Sequence, residues 1–346
     1  MAQDPQSQDR GRGFKTRLTE KLGCRYPIIS AGMGGPARSE LAAAVSEAGG
    51  FGLLGMVREP PALIAQEIAA VRARTDQPFG VNVIPFATDP KLLDEQLEVC
   101  FAAKVPAMCF HWNVMPGIVA RAREADCLVL HQVGSVAAAI EAERAGADIV
   151  IVQGVEAGGH VHGKLPLSVL LPEVAAVVKL PIAASGGIVG GADMLAAMAL
   201  GADGVHCGTV FLPTPESFAH DFHKRRILDA KSGETVHTDL FALNWPPNSP
   251  VRVLRNSLTE AVGHKLWGHH PDKLPREPIG EDAGAPILKF STHSPLRSTT
   301  GDLEKMPPFA GEGAGRVTKA RSAAQVIADM MAEAETTLDR LEAMRA

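Results

Sequence analysis

Residues 148–160 read DIVIVQGVEAGGH, and the organisation of the whole chain can be worked out from this stretch. The apolar run 148–152 predicts a buried strand, and the glycine-rich turn that follows ends in His160. Parallel α/β folds place their reacting groups in loops at the carboxyl ends of strands. Glycines let a flat or anionic ligand approach the backbone, and histidine can act as a base near neutral pH. The stretch therefore predicts an active-site loop, and the alternative is a plain glycine turn with a surface histidine.

The same pattern recurs along the chain. A helical segment ends at Gly146 and again at Gly201, and an aspartate, Asp148 or Asp203, precedes the next apolar run. The predicted strands are 27–31, 51–55, 79–84, 107–111, 127–132, 148–152, 181–185 and 203–207. The predicted helices are 39–48, 61–74, 90–103, 116–125, 135–145, 167–178, 191–200 and 217–230. Continuously apolar strands that alternate with helices predict an α/β fold with a parallel sheet, and eight units predict a closed (β/α)8 TIM barrel. A doubly wound open sheet is the structural alternative.

Composition divides the 346 residues into four parts. Residues 1–17 are polar and basic without an apolar core, which predicts a disordered lead-in and no secretory signal. Residues 18–231 form the predicted barrel. Residues 232–312, rich in Pro, Gly, Asn and His, predict an appended lid or substrate domain that is mostly helical or irregular, with one helical piece near 257–266. Residues 313–346 predict a C-terminal helix that packs on the barrel.

Charge and composition narrow the partners and the compartment. The net charge of −5 and the aromatic content of 5% do not favour nucleic-acid or membrane binding. No apolar run reaches about 18 residues, so no transmembrane helix is expected. The five cysteines lack C-x-x-C spacing and indicate reduced thiols in a cytoplasmic protein. His160, His162 and Glu156 resemble a two-His, one-carboxylate metal site, but no further ligand cluster lies on other strand ends, so no metal is expected.

Two other strand ends predict a phosphate site. Ser185-Gly186-Gly187-Ile188 and His206-Cys207-Gly208-Thr209 follow the seventh and eighth predicted strands, where barrels frequently bind phosphate. Gly186 and Gly187 would offer backbone amides, and Thr209 a hydroxyl. The alternative is two ordinary turns.

Residues on three more strands are candidates for ligand binding. Gly32 and Met33 follow the first strand and could line one side of a ring system. Asn82 is a polar residue inside an apolar strand, so its amide needs a partner, either neighbouring backbone or a ligand at the barrel mouth. Gln153 ends the sixth strand and could bond to the same ligand.

Taken in order, these motifs resemble the nitronate monooxygenases, also called 2-nitropropane dioxygenases. The resemblance rests on Tyr26-Pro27-Ile28-Ile29 leading to Gly32-Met33, on Gly80-Val81-Asn82, and above all on the E-A-G-G-H sequence 156–160. Ser185-Gly186-Gly187-Ile188 and Gly208-Thr209 complete the set. Related FMN-dependent enoyl-acyl-carrier-protein reductases and some NADH:quinone reductases share these motifs.

The resemblance implies an FMN-dependent barrel enzyme with His160 as its catalytic residue. It implies that Gly32 and Met33 pack near the flavin ring. The implied cofactor-binding residues are Asn82, Gln153, Gly158, Gly186, Gly187, His206, Cys207, Gly208 and Thr209. The pair His206-Cys207 departs from what relatives often carry before Gly-Thr, but backbone contacts tolerate that change.

The reaction implied is oxidation of an alkyl nitronate or nitroalkane by O2 to a carbonyl compound and nitrite. The nearest alternative is an FMN- and NAD(P)H-dependent reductase of an enoyl thioester or a quinone. A non-catalytic flavin- or phosphate-binding protein and a metal-dependent barrel hydrolase are further alternatives. The sequence names no physiological substrate, and a homodimer is the assembly considered.

Overall fold

The computed structural model describes residues 14–345, so most of the predicted lead-in lies outside the described residues. The strands are β1 (Ile28–Ser30), β2 (Gly52–Gly55), β3 (Phe79–Val83), β4 (Ala107–His111), β5 (Leu128–Val133), β6 (Ile149–Gln153), β7 (Gly159–His160), β8 (Ile182–Ser185), β9 (Gly204–Cys207), β10 (Thr235–Thr238), β11 (Val251–Leu254), β12 (Pro278–Asp282), β13 (Ala285–Leu288) and β14 (Thr300–Gly301). The α-helices are α1 (Arg17–Leu22), α2 (Ser39–Glu47), α3 (Pro61–Arg72), α4 (Pro90–Ala102), α5 (Pro116–Glu124), α6 (Val136–Ala145), α7 (Leu167–Ala175), α8 (Gly191–Ala199), α9 (Asp221–Leu228), α10 (Ser257–Val262) and α11 (Ala323–Glu342).

Eight parallel strands form a closed barrel. Their order is β1-β9-β8-β6-β5-β4-β3-β2, and every neighbouring pair is parallel. The two ends of this order meet, because the amide of Ser30 donates to the Phe51 carbonyl (3.0 Å) and the amide of Phe51 donates to the Ile28 carbonyl (2.9 Å). Helices α2 to α9 follow the strands in alternation. The predicted (β/α)8 barrel is confirmed, and the open-sheet alternative is wrong.

The eight barrel strands lie within one or two residues of their predicted bounds, but the last predicted helix was too long. The sequence analysis placed this helix at 217–230, whereas α9 spans only Asp221–Leu228. The preceding residue Ala219 forms an antiparallel bridge with Leu296, which is far along the chain. This long-range pairing holds the start of the predicted helix in an extended conformation.

The recurring Gly-Ala-Asp sequence has a structural basis at the bottom of the barrel. Gly146 ends α6 with a left-handed φ of 96°, a conformation that glycine adopts without steric cost. The carboxylate of Asp148 then accepts the amide of Val129 (3.0 Å), and the carboxylate of Asp203 accepts the amide of Ile182 (2.9 Å). Each aspartate therefore ties the start of its own strand to the neighbouring strand.

The barrel has two apolar layers because successive side chains of a strand point to opposite faces. Outward side chains pack against the helices in one large cluster. Inward side chains form a second cluster that includes Phe51, Leu53, Leu130 and Ile151. The barrel interior is thus a packed core rather than a pore.

Helix α1, which was not predicted, forms the floor of the barrel. Leu18 and Leu22 are buried in the inward cluster. The approach is close, because a Cβ added to Gly204 would lie 2.4 Å from a methyl carbon of Leu18. Outside the cluster, the guanidinium of Arg17 donates to both carboxylate oxygens of Asp203 (2.8 and 2.7 Å). Arg17, the last residue of the predicted lead-in, is therefore the first residue of a helix.

The segment 232–312 folds over the barrel mouth and contains more strand than the sequence analysis predicted. Strand β11 pairs with β10 on one side and, on the other, with β7, which is the end of the predicted active-site loop; β12 pairs with β13 and β14. The predicted helical piece is the short helix α10. We call residues 232–312 the cap. Because β11 pairs with β7, the cap and the barrel loop share one sheet.

The predicted C-terminal helix is α11, a single helix of 20 residues that packs against α8 and α2. Its buried side chains include Val326, Ile327 and Met330. No helix within residues 14–345 is long and apolar enough to cross a membrane.

We expect the barrel floor to contribute strongly to stability. Leu18→Ala should lower the free energy of unfolding by about 2–5 kcal/mol, since it leaves a cavity beneath the inward cluster. Urea denaturation followed by circular dichroism measures this loss. Leu338→Ala, on the exposed side of α11, is the matched control and should change stability by about 0.5 kcal/mol or less. Equal losses for the two variants would show that α1 does not support the barrel.

Candidate active site

A cleft lies at the carboxyl ends of the barrel strands, beneath the cap. Its empty volume is about 1090 Å³, part of it open to solvent. The cleft is lined by all twelve site residues proposed from the sequence: Gly32, Met33, Asn82, Gln153, Gly158, His160, Gly186, Gly187, His206, Cys207, Gly208 and Thr209.

A ring of polar side chains surrounds the floor of the cleft. Six barrel strands carry a polar residue at their last inward position, directly above the apolar core. These residues are Asn82 on β3, His111 on β4, Gln132 on β5, Gln153 on β6, Ser185 on β8 and His206 on β9. The barrel interior therefore changes from apolar to hydrogen-bonding at the level where a ligand would lie.

His111 and Gln132 were not predicted as site residues, and Ser185 was predicted only as part of a turn. The missing signal was the two-residue period of the strands. His111 and Gln132 each lie two positions after an inward apolar residue, Cys109 and Leu130. A polar residue at the next inward position of an otherwise apolar strand marks the mouth of the barrel.

Two of the predicted ligand-binding side chains have protein partners. The amide nitrogen of Asn82 donates to the Gly32 carbonyl (2.9 Å). Gln153 braces the loop that follows it: its Nε2 donates to the His160 carbonyl (2.9 Å), and its Oε1 accepts the amide of His162 (3.3 Å). Gln153 thus shapes the loop, and both ends of its side chain serve that purpose.

Glu156 holds the middle of the same loop. Its carboxylate accepts the backbone amide of Leu167, the first residue of α7, at 3.0 Å from each oxygen. From the cap, the buried Arg252 donates twice to the Val155 carbonyl (3.0 and 2.9 Å) and forms an ion pair with Glu312 (3.1 Å). The loop is therefore fixed from the barrel side and from the cap side.

His160 lies on β7 among aromatic rings. Its ring centroid is 3.6 Å from that of Trp245 and 6.0 Å from that of Trp112, which meets it edge-on. Its Nε2 atom is buried and has no hydrogen-bond partner in the described chain. Burial, followed by the nearby charge of Arg58, lowers the pKa of His160 to about 3. The imidazole is therefore neutral over the physiological range, and its Nε2 is free to bond to a ligand.

The other histidines of the cleft are neutral as well. Burial lowers the pKa of His206 to about 4 and that of His111 well below its usual value. The Nδ1 atom of His206 shares a hydrogen bond with the Ser185 hydroxyl (3.0 Å). Nε2 of His111 has no partner within residues 14–345. The floor thus offers hydrogen-bonding groups without fixed charge.

Free backbone amides line the far end of the cleft. Within the described chain, the amides of Gly186, Gly187 and Ile188 have no hydrogen-bond acceptor. Gly186 and Gly187 have φ values of 123° and 71°, a region that favours glycine. The next helix, α8, has its own cap, since the carboxylate of Asp193 accepts the amide of Gly190 (3.0 Å). Three successive amides before a helix form a concavity suited to an anion.

Thr209 and Cys207 reach the cleft in different ways. The Thr209 hydroxyl accepts the amide of Gly311 (2.9 Å), which draws the end of the cap toward β9. Cys207 lies one residue after the inward His206, and its thiol belongs to the outward cluster beneath the helices. Cys207 therefore meets the cleft through its backbone, whereas His206 meets it through its side chain.

The aromatic wall beside His160 was not predicted. Trp112 follows β4 with a positive φ of 85° and stacks on Phe86 (5.7 Å between centroids) and on His162 (4.8 Å). Trp245 comes from the cap, and Arg58 lies over its ring at 4.5 Å. These residues are far apart in the sequence, so no local pattern brings them together.

Comparison with known proteins identifies the family. The family model described as nitronate monooxygenase matches residues 15–333. A probable nitronate monooxygenase of Staphylococcus aureus (strain JH9) is 33% identical over 340 residues, covering 86% of this chain and 91% of the relative. A Mycobacterium tuberculosis relative, named (3aS,4S,5R,7aS)-5-hydroxy-7a-methyl-1-oxo-octahydro-1H-indene-4-carboxyl-CoA dehydrogenase, is 36% identical over 252 residues, covering 72% of this chain and 68% of the relative.

Two solved structures share the fold over nearly their whole length. FabK from Thermotoga maritima is 32% identical with a TM-score of 0.80, covering 95% of this chain and 99% of that one. Nitroalkane oxidase from Streptomyces ansochromogenes is 29% identical with a TM-score of 0.77, covering 94% of this chain and 100% of that one. With the family model spanning most of its length, this chain belongs to the nitronate monooxygenase family of flavin-dependent oxidoreductases.

Proposed function

We propose that this protein binds FMN at the barrel mouth and oxidises alkyl nitronates with O2 to carbonyl compounds and nitrite. The observation that carries the proposal is the placement of His160, whose neutral ring and unpartnered Nε2 lie at a cleft lined by glycines and polar strand ends. Two similar proteins are named for nitro compounds, one a probable nitronate monooxygenase and the other a nitroalkane oxidase.

The cleft fits FMN at both ends of that cofactor. The free amides of Gly186, Gly187 and Ile188 would hold the phosphate, because backbone N–H groups before a helix bind anions without a fixed positive charge. Within the polar ring, the Oδ1 of Asn82 and the side chains of His111 and Gln132 would offer hydrogen bonds to the edge of the flavin ring. When bound, FMN supplies the redox chemistry of the reaction with O2.

His160 is suited to an anionic substrate. Because its pKa is lowered to about 3, its neutral ring is a weak base, and a weak base removes a proton from carbon slowly. A nitronate has already lost that proton, so His160 needs only to position it through Nε2. An anion bound beside the ring would also raise the histidine pKa and let the ring share a proton with it. The site therefore favours a nitronate over the neutral nitroalkane.

The second candidate is an FMN- and NAD(P)H-dependent reductase of an enoyl thioester or a quinone. The name of the Mycobacterium tuberculosis relative supports it, because that protein is called a dehydrogenase of a carboxyl-CoA compound. The cofactor side of the cleft would serve either reaction. The two candidates differ in what reduces the flavin.

Anaerobic absorbance spectra separate these two candidates. A yellow protein whose flavin is bleached by an alkyl nitronate, but not by NADH or NADPH, is the expected result. Rapid bleaching by a reduced nicotinamide would replace the proposal with the reductase. A protein that takes up no added FMN would remove both.

We expect the glycine turn after β8 to control FMN affinity. Gly187→Ala should weaken FMN binding at least about tenfold, since its new Cβ meets no protein atom closer than 3.6 Å and would occupy the ligand's space. The measurement is quenching of FMN fluorescence by flavin-free protein. Gly233→Ala is the matched control, because Gly233 also has a positive φ (84°) but lies outside the cleft. Equal affinities for the two variants would place the phosphate elsewhere.

His160→Asn should keep FMN bound while lowering turnover of a neutral nitroalkane by about 10²-fold, the low end of the range for an acid–base group, because a ring with a pKa of about 3 is a weak base. Turnover of the nitronate should fall less, because no carbon-bound proton has to be removed. Steady-state oxygen consumption with both substrates measures the split. The exposed His264→Asn serves as the control. Undiminished nitroalkane turnover in His160→Asn would exclude the histidine from the reaction.

The pH profile provides an independent check. Since His160 of the free enzyme stays neutral down to well below pH 6.5, kcat/KM for a nitronate should show no histidine step between about pH 8.5 and about pH 6. A fall of the rate centred near pH 6.5 in the wild-type protein, and absent in His160→Asn, would contradict the neutral, buried state of this ring.

A further inference from the structure

The indole of Trp245 covers one side of the His160 ring. The two ring centroids are 3.6 Å apart at an angle of 32°, which is closer than most aromatic pairs, whose centroids lie about 4.5–7 Å apart. Trp245 also packs with Ile84 and Trp112 in a small buried cluster. Ile84 and His160 line the cleft, so Trp245 stands directly at its edge. Any group that approaches this side of His160 meets the indole.

Arg58 holds Trp245 in this position at two points. Its guanidinium lies over the indole ring at 4.5 Å, and its Nη1 donates to the carbonyl of Asn244, the residue before Trp245. A cation above an aromatic face is attracted by the negative face of the ring. Arg58 therefore contacts both the indole ring and the backbone next to Trp245.

Arg58 is itself anchored to the barrel. It follows β2 with a left-handed φ of 58°, which is uncommon for a residue other than glycine. Its Nε donates to the carbonyl of Ala87, in the loop after β3 (2.6 Å). The side chain thus links two barrel loops to the cap through fixed hydrogen bonds.

Arg58 has no carboxylate partner to account for its position. Within residues 14–345, none of the ion pairs includes it, and burial lowers its pKa without an acidic group to offset the effect. A half-buried arginine without a counter-ion is costly, and structures retain such groups where they serve a site. The charge of Arg58 also reaches His160 and helps to keep that ring neutral.

From these contacts we propose that Trp245 is the residue that sets the size of substrate admitted beside His160, and that Arg58 is the positioning residue that holds Trp245 there. The proposal rests on the proposed function, because it takes His160 as the place where the substrate binds. It predicts a preference for small, planar anions, with the alkyl group limited by the indole. Removal of the indole should open the site to larger alkyl groups.

The test measures binding of inert anions to the FMN-loaded protein. Acetate and cyclohexanecarboxylate share with nitronates a planar group with two oxygens and one negative charge, and differ from each other in alkyl size. Their dissociation constants are read from changes in the flavin absorbance. The ratio of the two constants reports size selection, and a change in the fraction of folded protein does not alter it.

In the wild-type protein, cyclohexanecarboxylate should gain little or no affinity over acetate from its larger apolar ring. Trp245→Leu should change the ratio of dissociation constants at least about tenfold in favour of the larger anion. Tenfold is the lower end of the effect of one extra or missing methylene in an apolar pocket. Arg58→Met keeps an apolar side chain but loses both the cation–π contact with Trp245 and the hydrogen bond to the Asn244 carbonyl. It should shift the ratio in the same direction by less. Because Arg58 is half-buried, this variant keeps the test decisive if Trp245→Leu does not fold.

Two control variants complete the design. Trp267→Leu removes an indole that is 54% exposed, and Arg121→Met removes an arginine paired with Asp94 on the barrel surface. Neither should change the ratio. An unchanged ratio in both Trp245→Leu and Arg58→Met would overturn the proposal, as would a wild-type protein that binds neither anion.

The readout does not depend on turnover, so the two proposals can fail separately. A wild-type protein that selects carboxylates by size but oxidises no nitronate would remove the proposed reaction and leave the role of Trp245 and Arg58 intact. Suppose instead that the protein oxidises nitronates but its Trp245→Leu and Arg58→Met variants show the wild-type ratio. That result would exclude the role of Trp245 and Arg58 and leave the proposed reaction intact.

Discussion

The closure between β1 and β2 is the constraint on which the site depends. Two backbone hydrogen bonds between Ser30, Phe51 and Ile28 turn a twisted sheet into a barrel. Once the barrel is closed, each strand has a defined inside, and alternation of side chains assigns every second residue to it. Apolar residues such as Leu130 and Ile151 fill the lower layers. The last inward residue of each strand then points at the mouth, so side chains from several strands can contact one ligand there.

The polar ring at this mouth is uncharged, which determines what it can bind. Burial keeps His111, His160 and His206 neutral, so the site provides hydrogen bonds without the desolvation cost of several buried ions. An anionic ligand can accept hydrogen bonds from the free amides before α8. It can also lie beside a neutral imidazole, whose pKa the anion would raise. Strong positive charge is confined to arginines such as Arg58 and Arg252, which are held by backbone carbonyls beside the cleft.

The barrel side of this cleft could be predicted from the sequence, and the cap side could not. Barrel strands and their glycine turns are local patterns, so Gly186, Gly187 and His206 could be located from the residues next to them. His111 was within reach of the same reasoning, had the two-residue period been followed through β4. The pairing of β7 with β11 joins residues about ninety positions apart, and no periodicity signals such a contact.

This difference has a physical cause that bears on the whole family of folds. The barrel mouth is built from strand ends whose spacing is fixed by sheet geometry, so the residues that can face a ligand there are constrained by the fold. Trp245 comes from the cap, whose strands are short, and the chain around it is held by long-range contacts such as the amide of Leu243 on the Phe290 carbonyl (3.1 Å). Under the proposed function, the barrel strand ends would hold the cofactor, and Trp245 from the cap, held by Arg58 from the barrel, would limit the substrate. Barrel motifs are then visible in the sequence, whereas only the folded structure brings Trp245 and Arg58 together.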